Sequence, residues 1–113
     1  MRAVFDALSR DDMDDLVSHW APDGVYFNPA VGAPAEGKIN VKNTIAAMST
    51  GLKSRGETLV VDRITEAVGA HPRRAYVEWH VASRGARDGK MGLHVISFDE
   101  NGLFHRVTVF AHA

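Results

Sequence analysis

The chain contains no cysteine. Disulfides, thiolate metal sites and cysteine nucleophiles are therefore excluded, and a reducing compartment suits the composition. Long apolar runs are also missing. No stretch approaches the roughly 18 apolar residues of a membrane-spanning helix, and Met1-Arg2-Ala3-Val4-Phe5-Asp6 has no apolar core of signal-peptide length. The expectation is a soluble, cytoplasmic protein without a membrane partner. Charge of one sign is not in excess, since 13 Lys and Arg stand against 14 Asp and Glu. Without a basic stripe to release condensed counterions, nucleic acid is not an expected partner. There is no G-x-S-x-G elbow and no phosphate-binding loop. No histidine pair stands with a carboxylate at metal-ligand spacing, so neither a metal site nor a cofactor is expected.

What is present is an ordinary globular composition over 113 residues, 45% hydrophobic and 24% charged, the size of one domain spanning 1–113. Val4, Phe5 and Leu8, then Met13, Leu16, Val17 and Trp20, recur at helical intervals. Ser9-Arg10-Asp11-Asp12 interrupts them. Asp11 or Asp12 suits the cap of a second helix, and the cluster completed by Asp14 and Asp15 reads as capping and solvation. Pro22-Asp23-Gly24 is expected to stop that helix. Val25 to Asn28 reads as a short strand, and Pro29 to Gly37 as a loop. Val41, Ile45, Met48 and Leu52 predict a third helix, ended by Gly51 or Gly56.

The remainder alternates apolar and polar residues, which predicts strands over about 58–68, 74–83, 91–98 and 103–111. Asp88-Gly89 fits a tight type I′ hairpin, and Asn101-Gly102 repeats the device before the last strand. That hairpin would place Ser83 opposite His94, Val81 opposite Ile96 and Trp79 opposite Phe98. Opposed residues share a face, so Trp79, Val81, Ser83, Gly92, His94, Ile96 and Phe98 are grouped on the bulkier, concave side. Glu78, His80, Leu93 and Val95 fall on the other. The predicted class is α+β, with helices gathered on one face of an antiparallel sheet.

At Trp20-Ala21-Pro22-Asp23-Gly24-Val25-Tyr26-Phe27-Asn28-Pro29 the chain resembles the nuclear transport factor 2-like superfamily. That group includes SnoaL-type polyketide cyclases, ketosteroid isomerase, limonene epoxide hydrolase and scytalone dehydratase. Gly37-Lys38-Ile39 and Phe98-Asp99-Glu100-Asn101-Gly102-Leu103-Phe104 extend the resemblance along nearly the whole chain. It implies a cone-shaped α+β barrel, three N-terminal helices on a strongly curved, mostly antiparallel sheet around an internal pocket. It also implies pairing of two copies through the outer sheet face, where Val60, Leu93, Val95 and Phe110 would lie.

The resemblance places His94 where ketosteroid isomerase carries a hydrogen-bond-donating acid, and Asn28 where that enzyme has its aspartate base. Asparagine cannot take a proton, and the oxyanion tyrosine falls near Val4, so classical ketosteroid isomerisation is not implied. Tyr26 and Asn28 match residues that hold the attacking water in limonene epoxide hydrolase. The arginine and aspartates of that enzyme fall near Trp79, Val81 and Val109, so epoxide hydrolysis is not implied either. The candidate catalytic residues are His94, Tyr26 and Asn28. Trp79, Val81, Ser83, Ile96, Trp20 and Val109 are the candidate ligand-binding walls.

Each has a plainer reading. His94 suits a core histidine bonded to Ser83 or Tyr26, Tyr26 with Asn28 suits a buried pair anchoring the Pro29 loop, and Trp20 suits the core. Three functions stay open. The first is isomerase, cyclase or dehydratase chemistry on a small apolar carbonyl compound, with His94 moving the proton. The second is non-catalytic binding of a small apolar ligand, and the third is an interaction module pairing through the sheet.

Overall fold

A computed structural model describes residues 2–29, 32–67, 69, 72–83 and 86–112, with the side chains at 86–89 and 112 outside the described set. Helices α1 (Arg2–Ser9) and α2 (Met13–Ser18) form where the apolar spacing puts them. Between them Asp11 takes a positive φ of 60°, while Asp12 caps α2 by accepting from the Asp15 N–H at 3.0 Å. The acidic cluster does more than cap. Asp11 accepts from Ser49 Oγ at 3.1 Å and pairs with Lys53, and Asp14 pairs with Lys42 at 2.7 Å. All three partners lie on α3 (Lys38–Ser54), so the cluster fastens the short helices to the long one.

Helix α2 stops at Ser18, and strand β1 (Trp20–Phe27) begins before the expected Pro-Asp-Gly stop. The backbone turns extended there because Phe104 N–H donates to the His19 carbonyl at 2.8 Å, setting Trp20 beside Phe104 in a parallel pair. Between Trp20 and Val25 the partner strand advances only from Phe104 to Arg106, so Ala21 to Gly24 are accommodated as a bulge. Proline and glycine suit a bulge as well as a helix stop, which is why the sequence misplaced the boundary. A short strand β2 (Ala35–Glu36) sits inside the expected loop and pairs with β1.

Helix α3 buries Val41, Ile45 and Ser49 at four-residue steps. It runs through Gly51, where a Cβ would stand 3.3 Å from Arg55 Nη1, and ends before Gly56, whose φ of 67° is left-handed. Strands β3 (Glu57–Ala67), β4 (Arg74–Ser83), β5 (Ala86–Phe98) and β6 (Phe104–His112) follow as an antiparallel meander. The six-stranded sheet has the order β2-β1-β6-β5-β4-β3, and it curves around the three helices. The Asn101-Gly102 turn forms where expected, with Asp99 Oδ1 accepting from the N–H groups of Asn101 and Leu103, both at 2.9 Å.

The β4–β5 register differs from expectation. Val77, not Ser83, lies opposite His94, Ala75 opposite Ile96, and Trp79 opposite Gly92. Ser83 pairs with Ala86, so the connection falls at residues 84 and 85, outside the described residues. Asp88-Gly89 instead lies within β5, where Arg87 to Met91 span only Ala82 to His80. A turn-prone pair thus makes a bulge. The displacement is even, six residues along β4, and side chains alternate with period two, so the predicted faces survive. Ala75, Val77, Trp79, Val81, His94, Ile96 and Phe98 are buried together on the helix side.

Gly92 is where the sheet tolerates no side chain. A Cβ there would lie 2.3 Å from Trp79 Cζ2 and 2.6 Å from the Phe110 carbonyl oxygen. Gly92→Ala is therefore expected to destabilise the fold by about 1–3 kcal/mol, through overpacking, and to tilt the indole. Denaturant unfolding with near-ultraviolet circular dichroism checks both effects.

Candidate functional site

Two hollows between helices and sheet share Tyr26, Met48 and His94 in their walls. One is an apolar recess against α1 and α2, with Val4, Trp20 and Ile96 in its wall. Only about 30 Å³ is open, the share of one water in the liquid. The other is a cavity of about 330 Å³ that adds Asn28, Trp79, Val81 and Val109, then Arg55, Glu57 and Lys90. Its size is at the small end of ligand sites. Of the sequence-derived candidates, Tyr26, Asn28, His94, Trp79, Val81 and Val109 meet in this cavity, while Trp20 and Ile96 belong to the recess. Ser83 lines neither hollow, and the register carries it away from His94.

Strand β5 positions His94 on the buried face, 8% exposed, with edge-on rings of Phe5 at 5.9 Å and Trp79 at 5.7 Å. Its Nδ1 is sealed without a hydrogen-bond partner, as is Nε1 of Trp79. The plainer reading, a histidine bonded to Ser83 or Tyr26, is therefore not what holds this ring. Burial penalises the imidazolium and pushes the His94 pKa down to about 4, so the ring is neutral near pH 7.

Tyr26 on strand β1 and Asn28 just after it enter from two strands along the sheet, β6 lying between them and β5. The Tyr26 hydroxyl reaches Met48 Sδ at 3.5 Å, a weak acceptor. Burial pushes the phenol up to about 12, and a side-chain hydrogen bond with Asn28 offsets part of that rise. The pair expected from the sequence does form. At neutral pH the site holds an uncharged imidazole and a protonated phenol, with no carboxylate deeper than Glu57 among the described residues of the wall. No group of histidine, aspartate and glutamate able to hold a metal occurs among the described residues.

Nothing in the sequence marks the cavity's outer part. Met48 and Leu52 showed as a helical stripe. Arg55, Glu57 and Lys90 carry no motif, because their meeting depends on where α3 ends and where β5 bulges.

The family model for the SnoaL-like domain matches residues 1–107, and the chain belongs to that family. Solved structures share its fold. A steroid delta-isomerase from Pseudomonas aeruginosa superposes with a TM-score of 0.75 at 19% identity, over 96% of this chain and 74% of that one. A SnoaL-like protein of unknown function from Burkholderia thailandensis E264 gives 0.75 at 17% identity, over 99% and 91%. A protein of unknown function with a cystatin-like fold from Methylobium petroleophilum PM1 gives 0.77 at 17%, over 99% and 72%. No protein of curated function matches the sequence. At such identities the likeness establishes the cone-shaped α+β fold and leaves the chemistry to the site. No helix among the described residues is long and apolar enough to cross a membrane.

Burial of His94 links folding to acid. The unfolded histidine binds a proton near pH 6.5 and the folded one only near 4, so protons favour the unfolded state between these values. The contribution of His94 to stability is intact above about pH 6.5. It is lost as pH falls to about 4, amounting to about 3 kcal/mol in all. Urea titrations across this range are expected to show that slope in the native protein, and a flatter acid limb in His94→Leu.

Proposed function

We propose that the chain is an acid–base enzyme of the isomerase, cyclase or dehydratase kind, acting on a small, largely apolar carbonyl compound. One observation carries this reading: a neutral imidazole and a phenol O–H whose acceptor is a thioether stand in the wall of one cavity of about 330 Å³, with Trp79, Val81 and Val109 as its apolar lining. His94 takes a proton from the carbon next to the carbonyl, and Tyr26 donates to the carbonyl oxygen as negative charge develops there. Asn28 orients the phenol. The proton returns from His94 to another carbon, or a leaving group departs. A desolvated imidazole is a reluctant base, because nothing in its surroundings supports the imidazolium. The enolate supplies that counter-charge, so the substrates that suit the site have an acidified C–H, next to two carbonyls or conjugated with one. Family membership and the isomerase-type neighbour agree with the class of chemistry.

Turnover of a panel of cyclic enones and β-dicarbonyl compounds, followed by mass spectrometry and isomer analysis, tests the reading. His94→Ala is expected to lower kcat by about 10²–10⁴, the usual share of general acid–base catalysis. Tyr26→Phe is expected to lower kcat about 10²-fold and to cost about 1–2 kcal/mol of stability, since it gives up both the contact with the Met48 sulfur and the hydrogen bond with Asn28. Full turnover in His94→Ala overturns the proposal. The pH profile of kcat/KM is expected to be flat from about pH 5 to 10, between the His94 and Tyr26 pKa values. An acid limb centred near pH 6.5 would mean that His94 is solvated.

Pairing of two copies through the outer sheet face is a second, compatible reading. Phe110 and Met91, 54% and 45% exposed, line a broad open hollow on that face, with Leu93 opposite Phe110 on the neighbouring strand. Sedimentation is expected to show a dimer that Phe110→Lys dissociates.

A further inference from the structure

The cavity that holds His94 changes character toward its outer part. Its inner wall is Tyr26, Trp79, Val81 and Val109, whereas Arg55, Glu57 and Lys90 stand in the same wall farther out. Arg55 and Lys90 are exposed, so the charged end of the cavity is the one that meets solvent. Glu57 engages Arg55 through Nε at 2.5 Å. That contact leaves the two Nη groups of the guanidinium, and Lys90 adds a second cation. Among the described residues of the wall, two positive groups stand against one carboxylate.

Arg55 is also held in place. It caps α3, with its N–H on the Leu52 carbonyl at 3.1 Å, and its Nη1 lies over Gly51 where a Cβ would come to 3.3 Å. A glycine within a helix is otherwise unfavourable, and here its missing side chain makes room for the guanidinium. The carbonyl end of α3 repels anions in general. Here the N–H groups of Arg55 and Gly56 occupy the Leu52 and Lys53 carbonyls, and the guanidinium stands over that end.

The geometry points to an amphiphilic monoanion as the natural ligand: a compact apolar body against Trp79 and Val109, with a carboxylate at the mouth on Arg55 and Lys90. This inference rests on the pocket reading above and narrows it from an apolar carbonyl compound to a carbonyl compound that also bears an acid. The acid fixes which end enters first, so the apolar end meets His94.

Calorimetric titration of the purified protein with ω-cyclohexyl alkanoates of increasing chain length, each beside its methyl ester, tests this without any need for turnover. The acid of the best-fitting length is expected to bind about tenfold tighter than its ester, two rim ion pairs at ordinary strength. That preference should shrink with added salt. Lys90→Gln and Arg55→Gln are each expected to remove a few-fold of that preference. Glu57→Gln, which releases Arg55 Nε, is expected to increase it. Gly51→Ala, which crowds the guanidinium, is expected to diminish it. Equal binding of acid and ester, or a preference that persists in the Arg55→Gln/Lys90→Gln double variant, overturns the anion inference while leaving the pocket reading standing. Binding of neither compound at any length removes both.

Discussion

The contact between Trp79 and Gly92 sets the terms for the rest of the site. These residues face each other across β4 and β5, and the indole lies over the glycine so closely that no Cβ fits beneath it. Held down in this way, the ring stands edge-on to His94 and forms one wall of the cavity. Phe5, from α1, closes the imidazole from another side. The water that would otherwise solvate Nδ1 is excluded by these two rings. The lowered pKa of His94 follows from its burial, and the indole seated over Gly92 is one of the groups that bury it.

Desolvation acts in opposite directions on the two ionisable groups. It depresses the basic imidazole and raises the acidic phenol, so both remain uncharged over a wide pH range. A carboxylate in the position of Asn28 would have broken this symmetry. It would have supplied a stronger base, but a permanent charge in an apolar wall needs a partner to stabilise it. Asparagine keeps the hydrogen bond to Tyr26 and avoids that charge. The result is an inner wall whose two ionisable groups are both uncharged near neutral pH, with the charged side chains kept to Arg55, Glu57 and Lys90.

Much of the architecture was legible because the strands are half-buried and their alternation is strict. Trp79, Val81, His94 and Ile96 were assigned to the inner face by a hairpin that does not exist, and the assignment held because the true register differs by an even number of residues. An odd error would have sent His94 to solvent. What misled was local chemistry with two outlets. Asp88-Gly89 suits a turn or a bulge, Pro22-Asp23-Gly24 a helix stop or a strand irregularity, and only pairing with distant strands decides between them. Trp20 shows the same ambiguity, since its spacing continues the α2 stripe while its pairing with Phe104 makes it the first residue of β1.

The acidic run at residues 11–15 shows how far a solvation reading reaches. Asp12 does what a cap residue does, satisfying the Asp15 N–H. Asp11 and Asp14 depend on partners about 30 to 40 residues away, Lys42, Ser49 and Lys53, and no periodicity in the sequence connects them. Exposed ion pairs of this kind contribute little stability each. Their consequence is geometric. They tie α1 and α2 to α3, and α1 carries the Phe5 ring that seals His94. A surface cluster and a buried imidazole are thus joined by one packing relation, with the helices as intermediaries.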